Sequence, residues 1–224
     1  SWMEHQAFYL TEATVELAKE RGACSHSQHT RYGRGEFPWE RRAPAVNELT
    51  SFEPELDWET LRTNMKQYGV RNATLMAVAP VESSSVVINS TNGIEMPMSL
   101  ITVKESKAGS LIQVAPEYNK LKNRYQLMWE QRDCDGYLKT ASVLAAYVDQ
   151  SISTNTFYNP AHFADRKVPT TLIARNLMLA HRWGLKTFYY SLINKQGSKG
   201  QDELPELKQV DIEASDEDCE ACKL

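Results

Sequence analysis

The stretch from Ala73 to Gly93, ATLMAVAPVESSSVVINSTNG, decides the fold because an apolar run leads directly into a polar loop. The run from Ala73 to Ala79 has no polar residue after Thr74. It therefore predicts a strand buried on both faces, as in a parallel sheet covered by helices. In α/β folds the loop at the carboxyl end of such a strand carries the ligand site. The stretch thus predicts an α/β fold with a site that begins at Pro80.

Consecutive serines, Ser83 to Ser85, follow this strand and precede the apolar residues Val86 to Ile88. The pattern predicts a helix that begins at the serines, with free N–H groups at its amino terminus. Hydroxyls beside such a helix end suit a phosphate group. On spacing alone, simple capping of the helix by the serines is the favoured interpretation, and a phosphate site is the alternative.

The composition limits the class of protein. The chain has 224 residues, of which 42% are hydrophobic, and its formal net charge is −4. These values are typical of a globular protein with a substantial core, and no clustered basic excess indicates a nucleic-acid partner. No apolar run is long enough to cross a bilayer, and glutamates occur throughout the first 22 residues, which argues against a secretory signal. We therefore expect no membrane partner and a cytoplasmic location with reduced thiols.

Periodic apolar spacing predicts helices along the chain. The predicted segments are Trp2 to Arg21 ending at Gly22, a helix capped by Asp57 with Trp58, Leu61, Met65 and Tyr68 on one face and Gly69 as its end, Glu117 to Glu130, Tyr137 to Asp149, and a helix from Pro169 to His181 that stops at Gly184. The second of these helices leads directly into the apolar strand, so the two predict one αβ repeat of a barrel or a doubly wound sheet.

Other segments are predicted as strands, loops or tail. A hairpin is predicted for Leu100 to Glu105 with Leu111 to Val114, an extended segment for Ser151 to Pro160, and a short strand for Lys186 to Ser191. Residues 24–55 are predicted to be a loop, and the polar, acidic segment after Asn194 is predicted to be disordered.

The cysteines and histidines give no metal site by spacing. Cys24, His26 and His29 form a possible metal corner, but a fourth ligand at zinc spacing is missing, so we predict no bound metal. Cys134 lies in a predicted turn and is interpreted as an inert thiol. Cys219 and Cys222 end the chain as a closely spaced pair.

Three separated features resemble the carboxyl-terminal part of the large (alpha) subunit of class I ribonucleoside-diphosphate reductase. They are the loop Pro80-Val81-Glu82-Ser83-Ser84, the strand Leu185-Lys186-Thr187-Phe188-Tyr189-Tyr190, and a tail that ends in a cysteine pair. The similarity also includes residues 16–20, 71–76 and 149–153, so it covers nearly the whole chain.

The resemblance implies a fold and an assembly. Residues 1–194 would form the last strands and helices of a ten-stranded α/β barrel, and residues 195–224 a flexible acidic tail with a redox cysteine pair. The family's radical cysteine, its reducing cysteines and its amino-terminal effector domain have no counterpart here. The resemblance therefore implies an enzyme that is active only with a separate or cleaved amino-terminal part, where nucleotide effectors bind. It also implies a small subunit that holds a metal-radical cofactor, and no cofactor on this chain.

The resemblance also assigns the candidate site residues. Pro80, Val81, Glu82, Ser83 and Ser84 lie where the family holds the phosphates of a ribonucleoside diphosphate. Val81 replaces the hydroxyl residue often found at its position, so it would contribute its backbone N–H, and Glu82 would have to point away from the diphosphate.

Tyr189 and Tyr190 lie where the family relays a radical from the small subunit to the active site. From the residues alone, adjacent tyrosines are better explained as packing on opposite faces of a strand. A relay works best with the rings in contact, so we predict that the strand ends or distorts at this pair, near the serine loop. Cys219 and Cys222 correspond to the family's thiol shuttle, which thioredoxin or glutaredoxin recharges.

Two alternatives remain at this point. Beside the enzyme fragment, one alternative is a non-catalytic interaction module that retains the barrel end, and the other is an independent thiol oxidoreductase that uses Cys219 and Cys222. The second is disfavoured because redox cysteine pairs normally lie at the amino end of a packed helix, not on an acidic tail.

Overall fold

The computed structural model describes residues 2–106 and 109–198. The helices of this part are α1 (Trp2–Arg21), α2 (Trp58–Tyr68), α3 (Glu82–Val87), α4 (Tyr118–Leu121), α5 (Asp135–Ala145), α6 (Thr170–Arg182) and α7 (Lys195–Ser198). The strands are β1 (Ile101–Ser106), β2 (Gly109–Val114), β3 (Thr154–Tyr158) and β4 (Phe188–Ile193). β1 pairs with β2 in antiparallel orientation, as the predicted hairpin requires, and β3 pairs with β4 in parallel.

Buried polar contacts fix α1 against the start of α2. The Glu4 carboxylate is only 2% exposed and accepts the backbone N–H of Glu55 at 2.7 Å and the indole N–H of Trp58 at 3.2 Å. Burial by itself raises the pKa of Glu4, but these N–H donors outweigh it and hold the pKa below its ordinary value of 4.5. The predicted helix end at Gly22 is confirmed, with φ 80° and an N–H bonded to the Ala18 carbonyl at 2.9 Å.

α2 has the predicted ends. The Asp57 carboxylate accepts the N–H of Thr60 at 3.0 Å, and Gly69, with φ 74°, terminates the helix. Three residues of the predicted face are buried, namely Trp58, Leu61 and Met65. Tyr68, at the end of this face, is 41% exposed, and the Lys19 ammonium lies over its ring, 4.7 Å from the ring centroid.

The loop predicted for residues 24–55 consists largely of single 3₁₀ turns, at Ser27–His29, Tyr32–Arg34, Pro38–Arg41 and Pro44–Glu48. These turns contribute to the core. Phe37 is fully buried, and its ring centroid lies 4.5 Å from that of Trp58 in an edge-on contact. Trp39 contacts Trp58 as well, at 5.7 Å. Aromatic packing therefore orders a segment whose sequence shows no periodicity.

The run from Ala73 to Ala79 forms less of a strand than its composition predicts. Within the described residues its β-pairing is a single parallel bridge between Val78 and Ile152. The prediction of burial on both faces is wrong, because the core of the described residues covers only one face of the run. Met76 is 8% exposed on that face, whereas the alanines at 73, 77 and 79 are exposed.

Upstream of the bridge, a side-chain carboxylate accepts the backbone N–H groups that a neighbouring strand would otherwise bond. The Asp149 side chain accepts the N–H of Leu75 at 2.7 Å and of Met76 at 2.8 Å. It also bonds to the Tyr32 hydroxyl, and the pKa of Tyr32 is raised first by burial and then by the charge of Asp149. This half-buried carboxylate thus joins the apolar run and the 3₁₀ segment to the residues that follow α5.

The described residues form two hydrophobic clusters, one between α1 and α2 and the other around β3. All five residues of β3 are buried, and α5 and α6 cover it with apolar side chains. The buried members of this cluster include Leu138, Ala141, Phe157, Tyr158 and Ala180. The extended segment, the helix after Pro169 and the strand near Tyr189 are confirmed, although β4 runs two residues beyond the predicted end. The described strands form two pairs rather than a closed ten-stranded barrel.

The helix predicted for Glu117 to Glu130 is wrong. The structure has only the single turn α4 and a 3₁₀ turn at Met128–Glu130. The chain is extended at Leu127, with φ −90° and ψ 145°, and the Met128 N–H bonds to the Pro97 carbonyl at 2.9 Å. This tertiary contact replaces the helical hydrogen bond that the spacing predicts. The next predicted helix is α5, which ends four residues before Asp149.

Candidate functional site

The serine loop leads into α3, a helix of six residues that begins at Glu82, one residue before the predicted start. Val81 is the N-cap and makes no side-chain capping bond, so the simple capping favoured by spacing is not observed there. The Val81 N–H donates to the Asn92 carbonyl at 2.9 Å, and its carbonyl accepts the N–H of Ser85 at 2.7 Å. The backbone of Val81 therefore joins the two ends of the loop by hydrogen bonds.

The serines of α3 occupy different environments. Ser85 is fully buried, and its hydroxyl donates to the Asn92 side-chain oxygen at 3.0 Å. Ser84 is exposed, as are Pro80 and Val81. For Glu82 and Ser83 the structure describes only the backbone. The N–H groups of the first helical turn have no acceptor inside a helix, so this end of α3 presents donors beside the Ser84 hydroxyl.

Tyr189 and Tyr190 lie in contact near the start of β4. Their ring centroids are 4.1 Å apart and the ring planes are inclined by 52°. They are 50% and 57% exposed. The predicted distortion of the strand is confirmed, because the β3–β4 register shifts between Thr154 and Thr156, directly opposite the pair. The strand does not end there and continues to Ile193.

The side chain of Asn155 links β4 to the segment that follows α3. Its side-chain oxygen accepts the backbone N–H of Tyr190 at 3.0 Å, and its side-chain nitrogen donates to the Glu95 carboxylate at 3.0 Å. Neither Asn155 nor Glu95 belongs to a motif that the sequence predicts as a site. The available signal was an asparagine between threonines in a strand predicted to be extended, because a buried amide requires hydrogen-bonding partners.

The register of the parallel pairs places the tyrosine pair near the level at which the serine loop begins. Val78 bridges Ile152, and Thr154, two residues later, pairs with Phe188. The serine loop follows Val78, and the tyrosines follow Phe188. The serine loop therefore follows the bridged end of its segment, whereas the tyrosines lie at the amino end of β4, which continues to Ile193.

A cavity of about 350 Å³ lies beside the serine loop, between the segment after α3 and the β1–β2 hairpin. Its polar lining includes Asn92, Glu95 and Gln113. The Gln113 side-chain amide donates to the Ser90 carbonyl at 2.7 Å, which ties the hairpin to the end of α3. The predicted hairpin therefore supports the loop.

Cys134 is buried and chemically quiet. Its thiol donates to the Phe157 carbonyl at 3.0 Å and accepts the Phe157 N–H at 3.2 Å. Burial raises its pKa to about 12, so the reactive thiolate is disfavoured, in agreement with the predicted inert thiol. Cys219 and Cys222 lie outside the described residues. In residues 2–106 and 109–198 no three His, Cys, Asp or Glu side chains, including those of Cys24, His26 and His29, are arranged to hold a metal.

This part of the chain is an α/β protein in which a polar loop follows a parallel-bridged segment and two tyrosines contact each other at the start of β4. Residues 1–191 match the family model described as ribonucleotide reductase, barrel domain. The chain therefore belongs to the ribonucleotide reductase family.

Curated relatives agree with this assignment. The chain is 43% identical over 220 residues to the ribonucleoside-diphosphate reductase subunit alpha of Buchnera aphidicola subsp. Baizongia pistaciae. It is 40% identical over 219 residues and 39% identical over 220 residues to the ribonucleoside-diphosphate reductase 1 subunits alpha of Salmonella typhimurium and Escherichia coli K12. Each match covers 97% of this chain but only 28% of the relative. The chain thus spans little more than a quarter of their length.

Among the described helices, none combines the length and the apolar character needed to traverse a lipid bilayer.

Proposed function

We propose that this chain supplies part of the large subunit of a ribonucleoside-diphosphate reductase, which reduces ribonucleoside diphosphates to deoxyribonucleoside diphosphates. In this proposal it binds the substrate phosphates, relays a radical through Tyr189 and Tyr190, and carries a thiol shuttle at Cys219 and Cys222. The observation that carries the proposal is the contact of the two tyrosine rings at 4.1 Å, because regular strand geometry would place them on opposite faces.

The ring contact suits transfer of one electron and one proton. In each transfer, one phenol loses an electron and its hydroxyl proton, and the neighbouring tyrosyl radical gains both and becomes a phenol. The half-exposed surfaces of Tyr189 and Tyr190 are accessible to the other parts of the enzyme. We place Tyr190 toward the small subunit, which supplies the radical from its metal cofactor, and Tyr189 toward the substrate.

Phosphate binding is assigned to the first turn of α3. The N–H groups of Glu82, Ser83 and Ser84 and the exposed Ser84 hydroxyl are suitable donors for a diphosphate. Pro80 has no N–H and turns the chain. The Val81 N–H is already bonded to the Asn92 carbonyl at 2.9 Å, so in this proposal Val81 shapes the loop rather than binding phosphate.

The remaining functions require other components. The terminal cysteines exchange thiols with the active-site disulfide of the assembled enzyme, and thioredoxin or glutaredoxin then reduces them again. The radical-forming and reducing cysteines and the nucleotide effector sites belong to the amino-terminal part of the subunit. We therefore propose that the chain is active only in that assembly.

The test combines three proteins. The chain is mixed with the amino-terminal part of the large subunit and with the small subunit, and reduction of a ribonucleoside diphosphate is measured. We expect turnover only in the complete mixture. We also expect the chain alone to associate, because the two strand pairs of the described residues have outer edges that no further described strand covers. Turnover by the chain alone as a monomer would contradict the proposal. Assembly without turnover would instead support a non-catalytic interaction module.

A further inference from the structure

The β3–β4 pair contains one extra residue on the tyrosine side. Between the pairs Thr154–Phe188 and Thr156–Ser191, β3 contributes one residue and β4 contributes two, Tyr189 and Tyr190. Such a bulge leaves a backbone group outside the ladder and re-aims the neighbouring side chains. The bulge accounts for two consecutive side chains in contact, which a regular strand forbids.

Asn155, the residue of β3 opposite the bulge, takes up the displaced backbone group. Its side-chain oxygen accepts the Tyr190 N–H at 3.0 Å. The same side chain donates from its nitrogen to the Glu95 carboxylate at 3.0 Å, and the Asn155 N–H bonds to the Tyr137 hydroxyl at 3.4 Å. Asn155 is 9% exposed, so the two hydrogen bonds of its side-chain amide lie in an environment with little water.

The chemistry of these contacts requires an amide. The Tyr190 N–H needs an acceptor and the Glu95 carboxylate needs an N–H or O–H donor, and a primary amide supplies both from one side chain. An ionised aspartate supplies the acceptor but not the donor, and an alanine supplies neither. The second Glu95 oxygen is buried and has no hydrogen-bond partner among the described residues, so the bond from Asn155 is important for holding this carboxylate.

We propose that Asn155 is a positioning residue for the tyrosine pair, because its side chain holds the bulge that brings the Tyr189 and Tyr190 rings into contact. Through Glu95 it also links this bulge to the segment that follows the serine loop. The inference rests on the proposed radical relay, and it assigns to Asn155 an effect on turnover rather than on substrate binding.

The test uses the assembled enzyme with Asn155→Ala and the isosteric Asn155→Asp. We expect exchange of the Tyr190 amide hydrogen to accelerate about tenfold in the alanine variant, since one hydrogen bond is lost. We expect kcat to fall at least about tenfold, because small misplacements of reacting groups are costly, while KM for the diphosphate stays unchanged. The aspartate variant tests the same idea if the alanine variant does not fold, and its kcat should also fall because the Glu95 contact becomes repulsive.

Asn159 provides a matched control. It is also 9% exposed, follows β3 directly, and donates from its side chain to a backbone carbonyl, that of Trp129, at 2.7 Å. Asn159→Ala should change neither the exchange of the Tyr190 amide nor kcat. An equal effect of the two alanine variants on both measurements would overturn the inference, because Asn155 would then be one structural asparagine among others.

The inference and the proposed relay fail in different ways. If Asn155→Ala and Asn155→Asp keep full turnover while Tyr189→Phe abolishes it, the relay stands and the positioning inference is wrong. If Tyr189→Phe also keeps full turnover, the relay itself is wrong, and the inference falls with it.

Discussion

The rings of Tyr189 and Tyr190 contact each other with centroids 4.1 Å apart, although the two residues are consecutive in β4. Neighbours in a regular strand point to opposite faces. The contact depends on the register shift opposite the pair, so local backbone geometry has been altered at the place where a radical relay would need two phenols together. Structural distortions of this kind are common next to active sites.

Replacing either phenol should separate packing from chemistry. Tyr189→Phe or Tyr190→Phe should preserve folding, assembly and nucleotide binding and reduce turnover to background, because phenylalanine keeps the ring but has no phenolic proton to lose. Turnover of the assembled enzyme and equilibrium binding of the diphosphate are the measurements. Tyr9→Phe is the control, since Tyr9 is similarly exposed at 54% and lies on α1. Substantial turnover in either variant of the pair would leave these tyrosines as packing residues.

The terminal cysteines should matter only for repeated turnover. Cys219→Ser or Cys222→Ser should leave a single turnover intact and stop further cycles with thioredoxin or glutaredoxin as reductant. Asp216, Glu217, Asp218 and Glu220 surround the pair in sequence and disfavour the thiolate, so exchange should depend on docking of the tail.

Cys24→Ser is the control for the tail variants, because Cys24 is a partly buried free thiol far from them in sequence. It should cycle normally in a rapid-quench assay that separates the first turnover from later ones. Normal cycling of the tail variants would rule out the shuttle.

The sequence predicts correctly those helix ends that depend on hydrogen bonds and backbone angles within a few residues. Asp57 and Gly69 were recognised as the ends of α2 because an N-cap acceptor and a positive φ act within one helical turn. The strand near Tyr189 and its distortion were also anticipated, the latter from the function that the resemblance implied. Ring contact was therefore predictable only after a relay had been considered.

Long-range contacts determined the elements that the sequence did not predict. In the run from Ala73 to Ala79, two backbone N–H groups bond to the carboxylate of Asp149, which lies more than seventy positions away in sequence. The periodicity of the run carries no information about such a partner. Likewise, the Met128 N–H bonds to the Pro97 carbonyl, which ends the predicted helix. The side-chain bonds of Asn155 could not be predicted because they depend on a register shift between two strands.

The buried Glu4 carboxylate should make stability depend on pH. Its pKa in the folded chain lies below the ordinary value of 4.5, so its contribution is fully present above that pH and is lost as the pH falls through the lowered value. Glu4→Gln should cost about 1.5–3 kcal/mol at neutral pH, as for hydrogen bonds to a charged group. The difference from the unmodified chain should shrink as the pH falls below about 4.5 and through the lowered pKa.

Urea unfolding of the chain, followed by tryptophan fluorescence at low protein concentration, measures this difference. Glu12→Gln is the control because Glu12 is exposed on the same helix, and it should have little effect at any pH. A pH-independent cost of Glu4→Gln would show that shape, not charge, holds α1 in place.

Alanine substitutions at the neighbouring residues Ser84 and Ser85 should affect different properties, substrate binding for the first and stability for the second. Ser84 is exposed at the start of α3, so Ser84→Ala should leave stability unchanged and raise the KM for a ribonucleoside diphosphate by about 10- to 100-fold, the loss expected for one hydrogen bond to a charged phosphate. Ser85 is buried and bonded to Asn92 at 3.0 Å, so Ser85→Ala should destabilise the loop by about 1–3 kcal/mol. Steady-state kinetics of the assembled enzyme and amide exchange across residues 81–93 distinguish the two effects. An unchanged KM in Ser84→Ala would remove its hydroxyl from the proposed phosphate site and leave only the backbone N–H groups of α3.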